Sequence, residues 1–438
     1  MKKSALLCAA VLAAGLSFVA CGGSGATPSA TKPPSNLATR VFASQSVSGS
    51  TSNAGLVVVD GYNDTVPRGT AISAGSSPGL MAISPDRTTV LAYDSVANAV
   101  DVINATKETS TGSIQLPGPV TSPITSMVAL STGFGYVAVP AAPINGSPNG
   151  AIVVMSLTTG NITSTISVPD AQTVVASPDG SQLLVFSNDS DVITVISPLL
   201  VNTGVIVTNT VTTCTGCRPA YALFSGDSST AYILNCGAEC GGTSAGVGTT
   251  ASVQTLNMAS LALGKSVTVD GATVALLSGT TLYVAGNSLT NFACSGETTA
   301  ATTCGRLDTV DLGSMTVANS AVITDGYHDR IDISANGQLF IGSHTCTTIG
   351  NAFNQQGEVR GCLSIFNTTN GEVVIPPDSG DVTGLQSFTS RYVMYVAEGG
   401  NLRVYDTTQD KLLINEYITY GTIVIVGQVI DIKAVDFF

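Results

Sequence analysis

The sequence predicts an all-β fold, a β-propeller of four-stranded blades, and three observations carry that expectation. A short serine-led turn recurs along the chain, at Ser84, Ser131, Ser177, Ser225, Ser278, Ser334 and Phe388-Thr389, in steps of 47, 46, 48, 53, 56 and 55 residues. Strand-like apolar runs recur in step with it. The composition suits turns and strands: 46 Gly in 438 residues, 10% charged residues, 44% hydrophobic and no Trp. Repeats of roughly 40–50 residues, each holding several short strands, are the mark of a propeller.

The clearest unit runs from Met81 to Asn104. Met81-Ala82-Ile83 leads into the turn Ser84-Pro85-Asp86, then Val90-Leu91-Ala92-Tyr93, a loop from Asp94 to Asn98, and the alternating run Val100-Asp101-Val102-Ile103-Asn104. Proline followed by aspartate suits a type I turn, and strict alternation suits a half-buried strand. Three strands joined by tight turns cannot cover both their faces, so the unit requires copies of itself.

Two further tallies are independent of the turn. The second strand recurs as Val41-Phe42-Ala43, Leu91-Ala92-Tyr93, Tyr136-Val137-Ala138, Leu184-Val185-Phe186, Tyr232-Ile233-Leu234, Tyr283-Val284-Ala285, Phe340-Ile341-Gly342 and Tyr395-Val396-Ala397. The third recurs from Val57-Val58-Val59-Asp60 to Leu402-Arg403-Val404-Tyr405-Asp406. Both tallies reach eight blades, with seven as the alternative. Residues 39–438 then form the propeller domain, opening on a second strand at Thr39 and finishing on an innermost-type strand, Val429 to Val435. Pairing that last strand with the first three closes the ring and removes its open edges.

The cassettes, a Ser-Pro-Asp-Gly turn as at 177–180, a strand like Tyr-Val-Ala and a strand like Val-x-Val-Ile-Asn, resemble the YVTN family of β-propeller repeats. The resemblance implies the fold and says little of function. Propellers similar to this one include lactonases and cofactor-binding dehydrogenases, and none of their catalytic residues maps onto this chain.

The first forty residues read as an address. Lys2 and Lys3 precede an apolar run, Ala5 to Ala20, too short and Ala-rich for a membrane span and suited to a signal peptide over residues 1–20. It ends in Phe18-Val19-Ala20-Cys21-Gly22-Gly23, which resembles the lipobox of bacterial lipoproteins, although Phe18 stands where that family prefers Leu. The resemblance implies acylation of Cys21 and, with Gly23 in place of an aspartate, an outer-membrane address. Residues 21–38 follow as a Gly-, Ser-, Ala-, Thr- and Pro-rich tether, so the membrane contact is the lipid alone.

Charge excludes some partners. Without residues 1–20 the chain keeps 14 basic against 29 acidic side chains, a net of −15. Such a surface repels nucleic acid and anionic headgroups. An envelope protein or a glycan is an acceptable ligand for a chain expected to be a monomer.

Of ten cysteines, Cys8 leaves with the signal and Cys21 carries lipid, so eight remain. An even number in an exported protein indicates disulfides. Cys294 with Cys304, and Cys346 with Cys362, flank the loops between second and third strands of successive blades. Cys214, Cys217, Cys236 and Cys240 meet on one face of another blade. Their spacing fits two disulfides of open pairing, and a four-thiolate zinc site as the alternative. Arg218 after Cys217 breaks the c-type haem pattern.

The two histidines, His328 and His344, fall on either side of one blade's innermost and second strands, hence on one face, with Asp325, Asp329 and Arg330 beside them. This is a candidate ligand or metal face, or an acid–base pair. The alternative is that these side chains only hydrogen-bond loop backbone near Cys346. Asn188-Asp189-Ser190-Asp191 reads as a hairpin turn rather than a calcium loop. There is no phosphate loop or H-E-x-x-H helix, and no cofactor is implied.

These readings favour a cell-envelope lipoprotein whose propeller is a binding or scaffolding module. A lactonase-like hydrolase with its site on the histidine face, and a purely structural surface protein, are the alternatives. A binding module is expected to show no deep polar pocket at the mouth of the ring, whereas an enzyme is expected to converge carboxylates and histidine there.

Overall fold

A computed structural model describes residues 35–436 apart from 48–54, 68, 70, 199–207, 242–249, 289–303, 347–360, 378, 416–417 and 419. The strands assort into eight antiparallel sheets. Seven are contiguous in sequence. Blade 2 spans Pro78–Ile83 to Thr109–Gln115, blade 3 Ser126–Ala129 to Asn161–Ser167, and blade 4 Ala171–Ala176 to Thr208–Thr212. Blade 5 spans Pro219–Phe224 to Leu263–Thr268, blade 6 Val274–Ser278 to Thr316–Ile323, and blade 7 Tyr327–Ile333 to Val373–Val374. Blade 8 begins at Val382–Ser387 and ends with two short pieces, Lys411–Leu412 and Thr422–Ile423, both on Asn401–Asp406.

Blade 1 is assembled from both ends of the fold. Its order from outside inward is Ala71–Ile72, Gly55–Asp60, Arg40–Ser46 and then Gln428–Ala434. The closing pair is antiparallel, with Val41 opposite Ala434 and Ala43 opposite Ile432. Eight blades and a ring closed by its last strand are thus what the turn and strand tallies expected.

The serine-led turns repeat because one hydroxyl closes each of them. Ser84, Ser177, Ser225 and Ser334 accept the N–H of Thr89, Gln182, Thr230 and Gln338, each at 3.0 Å. Each also donates to the side chain two residues on: Asp86, Asp179, Asp227 or Asn336, at 2.5–2.7 Å. The hydroxyl therefore satisfies a backbone donor that the turn would otherwise leave open.

Second and third strands are apolar on both faces because each blade is covered on both sides. Eight apolar clusters fill the eight junctions between neighbouring blades. At the junction of blades 8 and 1, Val429, Ile432 and Ala434 of the last strand pack with Val41, Val59, Tyr395 and Val404. Around the axis, side chains of one blade cap inner-strand N–H groups of the next. Asp332 accepts from Ser387 (2.6 Å), Gln386 from Ala434 (2.7 Å), Asp431 from Met81 (2.8 Å) and Ser126 from Val174 (3.0 Å). These groups have no further strand to pair with, so the side chains fill a role that a sheet edge leaves vacant.

An Arg40–Asp436 clasp reinforces the closure. Asp436 accepts from the Arg40 amide at 2.7 Å and from its guanidinium at 2.7 and 3.0 Å, and Arg87 donates to the Asp436 carbonyl at 2.6 Å. Arg40 also reaches Glu108 at 3.3 Å and the Ala105 carbonyl at 2.6 Å in blade 2.

Deleting Gly427 to Phe438 removes blade 1's inner strand and strips one wall from two core clusters. Each large apolar side chain so exposed costs about 1.5–3 kcal/mol. The shortened chain is expected to lose its cooperative thermal transition by circular dichroism. An unchanged transition would show that the ring does not depend on this strand.

Candidate functional site

The innermost strands of the blades start on one face of the ring, and second strands end there. At the axis on that face lies a funnel of about 600 Å³. Its wall comes from the first residues of the inner strands of blades 3 to 7, with Leu385 and Lys433 further along the inner strands of blades 8 and 1. Its polar lining includes Gln172, Thr173, Arg218, Thr273, Asp329 and Arg330.

A bulge gives this wall its side chains. The pairing of inner with second strand skips a residue between Ala171 and Thr173, Pro219 and Tyr221, and His328 and Arg330. The skipped residues Gln172, Ala220 and Asp329 all line the funnel. A bulge bends the strand and re-aims side chains, so two neighbours in sequence can face one space. Asp329 and Arg330 do so.

The five residues singled out around the histidines are split by this geometry. Asp325 lies in the connection ahead of the strand Tyr327–Ile333. His328 is the second residue of that strand, and it turns inward to complete burial. Its Nε2 lies 2.8 Å from the Thr324 carbonyl. A carbonyl only accepts, so Nε2 carries the proton and Nδ1 is bare, without a hydrogen-bond partner among the described residues. Burial pushes the ring's pKa down to about 4, so it is neutral at physiological pH.

Asp329, Arg330 and His344 come together. Asp329 lies 2.9 Å from Nη1 of Arg330 through Oδ2 and 2.9 Å from Nε2 of His344 through Oδ1. Arg330 is fixed further by donating from Nε to the Thr383 carbonyl of blade 8 at 2.6 Å. His344 closes the second strand opposite Tyr327, as the shared-face expectation required.

The four cysteines of blade 5 pair as Cys214–Cys217 and Cys236–Cys240, with Cα atoms 5.2 and 5.6 Å apart. Pairing leaves no thiolate for zinc. Cys346 and Cys362 pair as expected, 5.5 Å apart, while Cys294 and the side chain of Cys304 lie outside the described residues. The two blade 5 loops are in contact: Cys236 donates to the Arg218 carbonyl (3.0 Å) and Gly237 to the Cys217 carbonyl (2.8 Å). Asn188 to Asp191 do form the turn between Leu183–Ser187 and Val192–Ile196. Among the described residues no group of three or more His, Cys, Asp or Glu is placed to hold a metal ion.

Sequence reasoning missed several of the residues that matter here. Arg218 and Lys433 reach the axis, and neither stands in a recognisable motif. Glu239 is another. It sits on the turn of 3-10 helix Gly237–Cys240 inside a disulfide loop, next to funnel-lining Cys240. Its Oε2 accepts the Asn287 amide at 2.9 Å, and Oε1 is buried without a partner among the described residues. Gly286 makes room, since a Cβ there would lie 2.8 Å from Oε2. Burial raises the Glu239 carboxyl to about 7. The hydroxyl of Tyr327 is raised as well, by burial first and then by the charges of Asp329 and Glu239. The one sequence signal was indirect: the glutamate lies between two closely spaced cysteines.

No family model matches the chain, and no curated protein matches it. Solved structures do. Dihydro-heme d1 dehydrogenase NirN, in complex with DHE, is 11% identical at a TM-score of 0.56, over 92% of this chain and 77% of that one. A putative 6-phosphogluconolactonase from Bacteroides fragilis is 13% identical at 0.52, over 92% of this chain and 100% of that one. The Cps50 (Swd1) β-propeller domain of Myceliophteria thermophila is 10% identical at 0.50, over 76% and 99%. At these identities the likeness is one of fold.

Glu239 gives a pH test. Its carboxyl moves from an ordinary 4.5 to about 7 on folding, so the folded chain holds this proton more tightly than the unfolded chain. The resulting stability is fully present below pH 4.5 and is lost as pH rises through 7, by on the order of 2–3 kcal/mol. Glu239→Gln is expected to flatten that decline in urea melts between pH 5 and 8. A carboxyl carbon resonance of Glu239 titrating near 4.5 would refute the assignment.

Proposed function

We propose that this chain is a cell-envelope lipoprotein, held by lipid on Cys21, whose propeller binds a small polar ligand in the central funnel. The funnel itself carries the reading. Five bulged or polar inner strands turn hydrogen-bonding groups toward one space of about 600 Å³, a size that suits a small molecule. The expectation that a binding module would lack a polar pocket at the mouth of the ring does not hold, because the bulged inner strands open one there. Arg330 and Asp329 are already fixed by neighbours, as a preformed binding wall requires.

A thermal-shift screen against sugar acids, amino acids, nucleosides and envelope glycan fragments tests it, with Ala220→Trp as the filled-funnel control. At least one ligand is expected to raise the melting temperature of the wild type and to have no effect on the variant. Ligands that stabilise both forms equally would place binding elsewhere. For the address, Cys21→Ser is expected to move the protein from the membrane to the soluble fraction of the cells that make it. Membrane retention of that variant would argue against a lipid anchor.

A lactonase-like hydrolase is the second reading, favoured by the 2.9 Å contact between Asp329 and His344 beside the funnel. The two atoms are close but not aligned as a hydrogen bond, and a small turn of the ring would let the carboxylate orient the imidazole as a base through Nδ1. Water would lose a proton to His344 and attack the ester carbonyl, and the ring oxygen released on C–O cleavage would take that proton. A putative 6-phosphogluconolactonase shares the fold, which makes 6-phosphogluconolactone a reasonable first substrate. Hydrolysis above background that is lost in His344→Ala would promote this reading over simple binding.

A further inference from the structure

The structure devotes many contacts to one funnel-lining guanidinium. Arg218 directly follows the Cys214–Cys217 disulfide loop and takes a left-handed backbone, φ 50°. A side chain with a Cβ is not favoured there, so its surroundings must hold it. They do so from three sides. The Asp191 carboxylate accepts the N–H groups of Gly216 (2.8 Å) and Arg218 (3.0 Å). The Arg218 carbonyl accepts Cys236, beside the second disulfide, at 3.0 Å. Nη1 of Arg218 donates to the Asp189 carbonyl at 2.6 Å.

These contacts fix the guanidinium without using it up. Among the described residues only its Nη1 is hydrogen-bonded, which leaves Nη2 open while Nε is buried, and the contact with Asp191 is long, at 3.7 Å. Asp191 is itself satisfied by two amides. Three cations, Arg218, Arg330 and Lys433, line the funnel with two carboxylates, Asp189 and Asp329, in a chain whose net charge is −13. Asp329 is paired with Arg330 and His344, and Lys433 with Asp431 (2.9 Å). Arg218, whose nearest carboxylate stands at 3.7 Å against 2.9 Å for the other two, is therefore the least neutralised of the three lining cations. A guanidinium offers a fixed fork of donors that matches a planar or tetrahedral oxyanion.

The blade 5 disulfides fit this role better than a stabilising one. Each closes a loop of only three or four residues in sequence separation, whereas Cys346–Cys362 spans 16. Short loops restrict the unfolded chain least, so their effect falls mainly on local geometry. We propose that Arg218 is the oxyanion-recognition residue of the funnel and that the Cys214–Cys217 loop with Asp191 positions it. The proposal rests on the funnel being the binding site and narrows its ligand to small molecules bearing a carboxylate or a phosphate.

The test uses the full chain, with acetate and inorganic phosphate as probes, at constant ionic strength. Arginine Nε–H correlations in nitrogen-15 spectra report binding. In the wild type, one or both probes are expected to shift the Arg218 signal saturably, and the stronger of the two identifies the oxyanion class. Arg218→Lys is expected to weaken binding about tenfold and Arg218→Gln to abolish it, read from the Arg330 signal. Cys214→Ala with Cys217→Ala is expected to weaken binding at least fivefold while the melting temperature stays within a few degrees. Probe binding unchanged in Arg218→Gln but lost in Ala220→Trp would overturn the role of Arg218 and leave the funnel reading standing. No wild-type binding of either probe would overturn the proposal as well, and the metabolite screen then judges the funnel separately. Full affinity in the double cysteine variant would overturn the positioning claim.

Discussion

Everything on the axis depends on one strand pairing, that of Gln428–Ala434 with Arg40–Ser46. A propeller blade cannot cover its own faces, so each relies on two neighbours, and an open ring would expose a face of blade 8 and a face of blade 1. The pairing joins residues nearly 400 apart in sequence: Arg40 and Asp436 differ by 396. Loop-closure entropy grows only slowly with such length, so strand hydrogen bonds, the apolar contacts of Ile432 and the Arg40–Asp436 clasp suffice to hold it. The same strand brings Lys433 to the funnel and Asp431 to the Met81 amide. Closure and funnel are thus one construction.

The inner strands meet a conflict that shapes the site. They form the free edge of every sheet, and their unpaired N–H groups face the axis. Further along the inner strands, Asp332, Gln386 and Asp431 answer by capping the next blade, as Ser126 does at the funnel wall. Where those strands begin, bulges break the pattern and turn Gln172, Ala220 and Asp329 toward open space. What a sheet interior would treat as a defect supplies the chemistry of the funnel. Blade 5 adds rigidity there, because its two small disulfide loops hold Arg218 close to the Asp189 carbonyl and Glu239 close to the Asn287 amide.

Much of the fold was legible in the sequence because it is written in local rules. The serine of each turn acts within five residues of itself, and the strands alternate in register with it, so both can be counted by eye. The shared face of His328 and His344 followed from topology alone. Which way His328 points did not, since a single-residue bulge sends it inward and leaves Asp329 outside. Bulges leave no mark in composition or period. The partition of Cys214, Cys217, Cys236 and Cys240 was equally hidden, because every pairing of four neighbours fits the spacing. The place of Arg218 and Lys433 at the axis was hidden for a related reason: an isolated cation has no motif, and only the ring brings these two together.

The central claim is that the closed ring builds its binding surface at the axis, on the face where the inner strands begin. Amide hydrogen exchange of the full chain, with and without a low-molecular-weight extract of the cells that make it, addresses this most directly. The account expects added protection confined to Gln172, Arg218, Ala220, Asp329 and Arg330, with the outer strands of the blades unchanged. Protection along the outer strands such as Thr109–Gln115 or Asn161–Ser167, with none at the funnel wall, would contradict it.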